Sequence, residues 1–302
     1  MTVETTKETT QEYGSQAETA ALRRVIVRRP DESFAVEDPD AWNYASRPHL
    51  AAAQAEHDAL TATLQNAGAE VVHHESPQPG RADAIFVRDP VLMTRAGVII
   101  LTPGKDLRRG EEEALAALFE ELGVPILHRL SAGPDGETPT AEGGDFLWLD
   151  DETLAVGLGF RTNRAAVDQL SEVLKPHGVN LVTVELPYAD GPRACLHLGS
   201  YISMLDRDLA VAHLSFMAVS FWRLLNERGI QLVEVPDDEY ATMAPNVLCL
   251  APRKGLMLEG NPKTQERLEA AGCEVLTYRG NELSLKAEGG PTCLTLPLLR
   301  TP

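Results

Sequence analysis

No stretch of this 302-residue chain reaches the roughly 18 consecutive apolar residues that a membrane-crossing helix requires, so a helical membrane protein is not expected. Positive charge is scarce as well: 27 Lys and Arg stand against 45 Asp and Glu, for a net charge of −18. A chain so charged repels nucleic acid and anionic membranes, and a phosphate-rich partner would need a local basic pocket. A small cationic substrate suits it better. The four cysteines, Cys195, Cys249, Cys273 and Cys293, each lie in an apolar, strand-like run and none has a short paired spacing. That pattern carries no zinc signature and fits a reduced, cytoplasmic protein. Residues 1–20 are rich in Thr, Glu and Gln and lack the apolar segment of a secretory signal. They read as a disordered tail, which leaves 21–302 as a single domain.

What the chain does have is apolar content, 43% of residues, enough for a real core, and an internal repeat. Five times an amphipathic pattern ends at a glycine that leads straight into a strand-like run. These are LQNAG–AEVVHH at Gly68, FEELG–VPILHR at Gly123, LKPHG–VNLVTVELP at Gly178, LNERG–IQLVEVP at Gly229 and LEAAG–CEVLTY at Gly272. Glycine just past a helix takes the left-handed cap conformation without strain. The five fall 43 to 55 residues apart, too regular for chance and too long for a small solenoid unit. Between them lie strand–turn–strand segments: 85–87 with 98–101, 146–149 with 153–158, 195–198 with 209–214, and 247–250 with 256–258. The fifth pair must come from the chain ends, 24–27 and 293–296, and pairing terminal strands closes a ring with no exposed edge. The expected architecture is therefore α/β, a five-bladed, pseudo-fivefold α/β propeller.

The repeat predicts that residues at one equivalent point in the first strand of each pair converge on the ring's axis. Those points hold Arg88 and Asp89, Glu142 to Asp145, His197, Asn246 and Cys293. Cys293 with His197 is a nucleophile and an acid–base group: a thiolate attacks, and an imidazole protonates a leaving amine and later activates water. The preceding Gly289 and Gly290 leave room for a ligand over the thiol. Carboxylates facing a thiol, Asp89 with Glu142 and Asp145 nearby, are suited to holding a planar cation by paired hydrogen bonds, and guanidinium has that shape.

FVRDP at 86–90, EGGD at 142–145, CLHLG at 195–199 and GGPTCL at 289–294, in this order, resemble the guanidino-modifying enzymes of the pentein superfamily. The resemblance covers about 23–302. It is closest in pattern to the dimethylarginine dimethylaminohydrolases, with arginine deiminases and amidinotransferases as near relatives, and it implies a five-bladed α/β propeller. It further implies a hydrolase that yields citrulline with ammonia or a methylamine through a thiouronium on sulfur, with no metal or organic cofactor. The alternatives it leaves are amidino transfer to an amine and plain arginine deimination. By the same resemblance Cys293 is the nucleophile, His197 the general acid and base, and Glu142 the acidic residue beside the histidine. Asp89 binds guanidinium nitrogens, Asp83 holds the substrate's α-amine, and Arg108 and Arg161 clamp its carboxylate.

Two positions depart from the pattern. Arg88 stands where dimethylargininases usually carry Glu, and Gly199 where deiminases and amidinotransferases carry an acid, so a methylated or otherwise substituted guanidine is favoured. A branch of this superfamily binds ribosomes without this chemistry; the −18 charge and the set of Cys, His, Asp and Glu argue against that reading. Residues 34–48, turn-rich and containing Trp42, Asn43 and Tyr44, are the candidate lid. The expected partner is a small cationic guanidino amino acid, and homo-oligomerisation is left open.

Overall fold

A helix that ends at a left-handed glycine and runs into a strand recurs five times in the computed structural model, which describes residues 12–133, 136–194 and 196–301. The helices are Leu50–Asn66, Glu111–Glu121, Arg164–Leu174, Val219–Glu227 and Pro262–Ala270. The glycines that follow, Gly68, Gly123, Gly178, Gly229 and Gly272, have φ of 97, 68, 74, 73 and 87°, a region that a Cβ penalises. Arg164–Leu174 illustrates why these segments are helical. Asn163 caps it by accepting from the Ala166 amide, and Ala166, Val167, Leu170 and Leu174 recur at helical spacing and are all buried.

Each helix connects two strands of one three-stranded sheet, and there are five such sheets among the described residues. Val91–Met93 pairs antiparallel with Val98–Ile100, which pairs parallel with Ile126–Arg129. Phe146–Trp148, Thr153–Leu158 and Asn180–Glu185 repeat the pattern, as do Ile202–Asp206, Leu209–Ala212 and Gln231–Glu234. Leu248–Ala251, Lys254–Leu258 and Glu274–Tyr278 form the next sheet. In the remaining one the last strand, Leu296–Thr301, lies antiparallel to the first, Ala21–Val27, which pairs parallel with Glu70–His73. The chain ends thus share a sheet, as expected.

Five buried apolar clusters lie between the sheets. One joins Ile26 and Leu296 to Val91 and Val98. The next three join Ile99 to Phe146, Ala155 to Ile202, and Val211 to Met257. The fifth joins Leu256 and Leu258 back to Val25 and Val27. Every sheet therefore shares a core with the sheet before it and the sheet after it, the fifth with the first. Burial of this kind is the main favourable term in holding such units together.

Three strand positions need correction. Residues 85–87 are not a strand: Ala82–Ile85 is a 3-10 turn, and the first strand of that sheet is Val91–Met93. Leu198 likewise falls in the 3-10 turn Leu198–Ser200, with the strand starting at Ile202, and Cys195 lies outside the described residues. Cys293 precedes its strand, which starts at Leu296. In each case the polar residues near the expected axis occupy a turn ahead of the strand, because their side chains and backbone amides bond one another instead of a ladder partner. The expected disorder does not extend over residues 12–20. Residues 12–20 run against the fold: Gly14 donates to the Leu298 carbonyl (2.8 Å) and accepts from the Arg300 amide (3.0 Å), and Glu18 pairs with Arg88. No helix among the described residues is long and apolar enough to cross a membrane.

Candidate active site

The turns that open the first strands carry the chemistry, and close backbone approaches hold them in register. A Cβ on Gly144 would lie 2.3 Å from His197 Nδ1, and one on Gly143 would lie 2.1 Å from the Arg88 carbonyl. The two glycines of the EGGD loop are what allow His197 and Arg88 to approach it. Gly289 and Gly290 serve the same end: added Cβ atoms would meet the Phe86 ring at 2.0 Å and Asn246 at 2.4 Å. They permit tight packing beneath Cys293, a correction to the expected clearance for a ligand.

At the centre, His197 Nε2 and Glu142 Oε2 are 2.8 Å apart, and both residues are buried. The His197 carbonyl accepts from the Ser200 amide (3.0 Å) and the His197 amide donates to Ser200 Oγ (3.0 Å), which fixes the turn that carries the ring. Glu142 Oε1 accepts from the Lys105 amide (3.1 Å). Burial raises the pKa of Glu142, but the hydrogen bond and charge of His197, with the more distant Arg108 and Arg161, outweigh it and hold the carboxyl below the usual range. Asp145, three residues on, is shifted the other way, to about 6. Burial dominates there, although Thr162 Oγ1 (2.6 Å) and the Leu198 amide (3.0 Å) donate to it.

Asp89 lies behind the imidazole, with Oδ1 4.0 Å from His197 Nδ1 and accepting from the Gly144 amide at 3.0 Å. Its other oxygen receives Arg108 Nη1 at 2.5 Å. Arg108, expected to meet the substrate's carboxylate, is buried and engaged internally: it also donates to Glu111 Oε2 from Nε (3.0 Å) and Nη2 (2.8 Å), and to the Phe86 carbonyl (3.1 Å). Burial pulls its pKa down, but Glu111, Asp89, Asp83 and Glu142 together drive it well above the ordinary arginine value. Glu111 is pushed up to about 7, by burial first, against the opposing pull of Arg108.

Cys293 is half-buried. Asn246 Nδ2 lies 3.5 Å from its sulfur, and Asn246 Oδ1 accepts from the Thr292 amide (3.0 Å) and hydroxyl (2.9 Å), so one amide side chain holds the turn and contacts the thiol. Cys293, His197, Gly144, Gly199, Asn246 and Arg88 line one cavity, part of it open to solvent. Cys249 and Cys273 are buried, and burial pushes the Cys249 thiol up to about 12. Cys249 also lines that cavity but is buried; Cys293 is the described cysteine there that is partly exposed.

Arg88 lines that cavity with its guanidinium turned to Glu18 Oε1 (2.8 Å) and the Phe146 carbonyl (3.3 Å). On another side of Glu142, Asp83 receives Tyr44 Oη at 2.8 Å and Lys105 Nζ at 2.6 Å. Lys105 Nζ also donates to the Trp42 carbonyl (2.8 Å) and sits 4.9 Å from that ring's centroid. The segment 34–48 therefore reaches the site through Tyr44 and Trp42. Arg161 is buried beside Lys105: a Cβ on Gly104 would lie 2.6 Å from the Arg161 carbonyl. The structure thus brings Asp83, Asp89, Arg108, Glu142, Asp145 and His197 into one buried network, with Arg161 buried beside it but not bonded to it and with Cys293 and Arg88 on the cavity that His197 shares. Sequence reasoning missed Glu18, Tyr44, Lys105, Glu111 and Thr162 as members of it.

Asp89, Glu142 and His197 each place one possible metal-ligand atom within 4.8 Å of the others. His197 Nε2 is already engaged by Glu142, and Asp89 by Arg108 and Gly144.

The family model for eukaryotic N,N-dimethylarginine dimethylhydrolase matches residues 38–300. The N(G),N(G)-dimethylarginine dimethylaminohydrolase of Pseudomonas aeruginosa is 27% identical over 275 residues, which is 91% of this chain and 99% of that one. The Streptomyces coelicolor protein of the same name is 31% identical over 218 residues, covering 72% of this chain and 74% of its own. The solved structure of the P. aeruginosa enzyme in complex with citrulline superposes with a TM-score of 0.74 at 26% identity, covering 91% of this chain and 99% of the other.

Proposed function

Because the chain belongs to the dimethylarginine dimethylaminohydrolase family of the pentein superfamily, and is thus a guanidino-group hydrolase, we propose that it converts arginine or an N-methylated arginine to citrulline. The by-product is ammonia or a methylamine, and the intermediate is a thiouronium on Cys293. The observation that carries this reading is the thiol and the carboxylate-backed imidazole, supplied by different sheets, on the wall of one cavity. The guanidinium sits against Asp89 while Cys293 passes its proton to His197, and the thiolate attacks the guanidino carbon to form the C–S bond. His197 protonates the departing nitrogen as the C–N bond breaks. It then takes a proton from water, the hydroxide adds to the same carbon, and the C–S bond breaks to release the ureido product and the thiolate. Glu142 remains ionised and stabilises the imidazolium, a preorganised charge where charge develops.

Asp83 and Arg161 face the other end of the substrate. Arg88, neutralised by Glu18, shapes the cavity wall and leaves space where a second carboxylate would stand, which suits a substituted nitrogen. Residues 34–48 act as the lid, supported by the contacts of Tyr44 and Trp42 with Asp83 and Lys105. The five sheets form the blades of one ring closed by the terminal strands; the cores shared by successive sheets, the fifth with the first, support this. The four cysteines, none with a short paired spacing, fit a reducing, cytoplasmic compartment.

The test is a ureido-product assay over arginine, its monomethyl and asymmetric dimethyl forms, and shorter guanidino acids. Wild-type protein yields product from at least one of them. Cys293→Ser keeps its fold by circular dichroism and loses at least about a thousand-fold in turnover, as removal of a covalent nucleophile does. Appreciable activity in that variant refutes the assignment.

A further inference from the structure

We propose that Lys105 is a specificity residue that fills the ammonium position of the site from within the protein, so that the preferred substrate is a guanidino carboxylate with no α-ammonium group. The inference rests on the guanidine-hydrolase reading above and revises one part of it, the amino-acid end of the substrate: arginine becomes the weaker substrate, and the preferred one gives the matching ureido acid. Asp83 is the acid placed to meet a cationic tail, and neither of its oxygens is vacant: Tyr44 Oη holds one at 2.8 Å and Lys105 Nζ the other at 2.6 Å. The pair is well shielded, with side-chain exposures of 16% for Lys105 and 7% for Asp83. Lys105 is further fixed by the Trp42 carbonyl and ring, and its own amide is bonded to Glu142. An arriving ammonium would have to share one carboxylate with a second cation a few ångströms away, at low dielectric, or displace Lys105 and forfeit all these contacts.

Arg161 presents the opposite situation. It is 6% exposed, its Nε is buried without a partner, and its guanidinium makes one long bond, 3.5 Å, to the Arg193 carbonyl. Among the described residues it has no ion-pair partner. A buried cation in that state is completed by an anion. The tail end of the site therefore has an unmet demand for a carboxylate and a demand for an ammonium already met by Lys105.

The matched probes are arginine and 5-guanidinopentanoate, which differ only in the α-ammonium, each also prepared with two methyl groups on one terminal nitrogen. Calorimetric dissociation constants are measured on the Cys293→Ser protein, which binds without turnover. The expected result is at least about tenfold tighter binding of the pentanoate, with the preference reversed in Cys293→Ser/Lys105→Met and retained in Cys293→Ser/Lys105→Arg. Equal or tighter binding of arginine by the Lys105 protein overturns the proposal, as does failure of both probes to bind. Turnover of the same compounds by wild-type protein is scored separately. A binding preference with no ureido product from any of them overturns the hydrolase reading and leaves the role of Lys105 standing.

Discussion

Glu142 and Glu111 are both buried beside the same arginine-rich network, yet they are shifted in opposite directions. Glu142 has a partner of its own, His197 at 2.8 Å, and is held ionised. Glu111 shares Arg108 with Asp89 and with the Asp83 and Phe86 carbonyls, and burial carries it up to about 7. One of its oxygens, Oε1, is buried with no hydrogen-bond partner. Burial alone therefore does not decide the charge of an acid in this site; an undivided donor does. The difference separates a region built to hold a fixed negative charge against an imidazole from one built to hold Arg108 in place.

The sharpest way to break this comparison is Glu142→Gln, which keeps the shape and removes the charge. It is expected to lower kcat by about 10² to 10⁴ with KM changed little, while circular dichroism shows an intact fold. A kcat within threefold of wild type would mean that the imidazole needs no anion behind it. Glu111→Gln tests the other side with a smaller effect, in stability rather than rate. A carboxyl whose pKa rises on folding, here from 4.5 to about 7, favours the folded state while protonated, below pH 4.5. That contribution is lost as pH climbs toward 7. The loss is of order 3 kcal/mol at 1.36 kcal/mol per unit. Urea midpoints of wild type should therefore fall relative to Glu111→Gln between pH 4.5 and 7.5, and parallel profiles would refute the shifted ionisation. Glu142 acts in the opposite sense, since its lowered pKa stabilises the fold above about pH 4.5 and that contribution is lost on acidification.

The same contrast explains how much of this molecule was legible in its sequence. The helix–glycine–strand cassettes are local signals, since a left-handed cap and a 3.6-residue apolar stripe are written within a dozen residues, and all five were readable. Cys293, His197, Asp89 and Glu142 stand out in the sequence because the repeat places them at equivalent points, and the roles proposed for them come from the motif resemblance. Lys105 and Tyr44 were not, because their partner Asp83 lies 22 and 39 residues away and neither sits in a motif. Lys105, followed by Asp106 and Arg108, looks in sequence like part of a solvated charge cluster. Glu18 is hidden for a related reason: its segment is polar, and its partner, the Arg88 guanidinium, lies 70 residues on. The strands at 91–93 and 202–206 were displaced in the reading because hydrophobic alternation begins in the turns that carry the site.

The most direct test of the central claim is mass spectrometry of wild-type protein quenched in acid during turnover of a substrate identified in the ureido assay. The account predicts an added amidino-derived group on the peptide containing Cys293, appearing before product, disappearing as substrate is exhausted, and absent from Cys249 and Cys273. Product formation at full rate with Cys293 unmodified at every time point, or with the group on another residue, would contradict it.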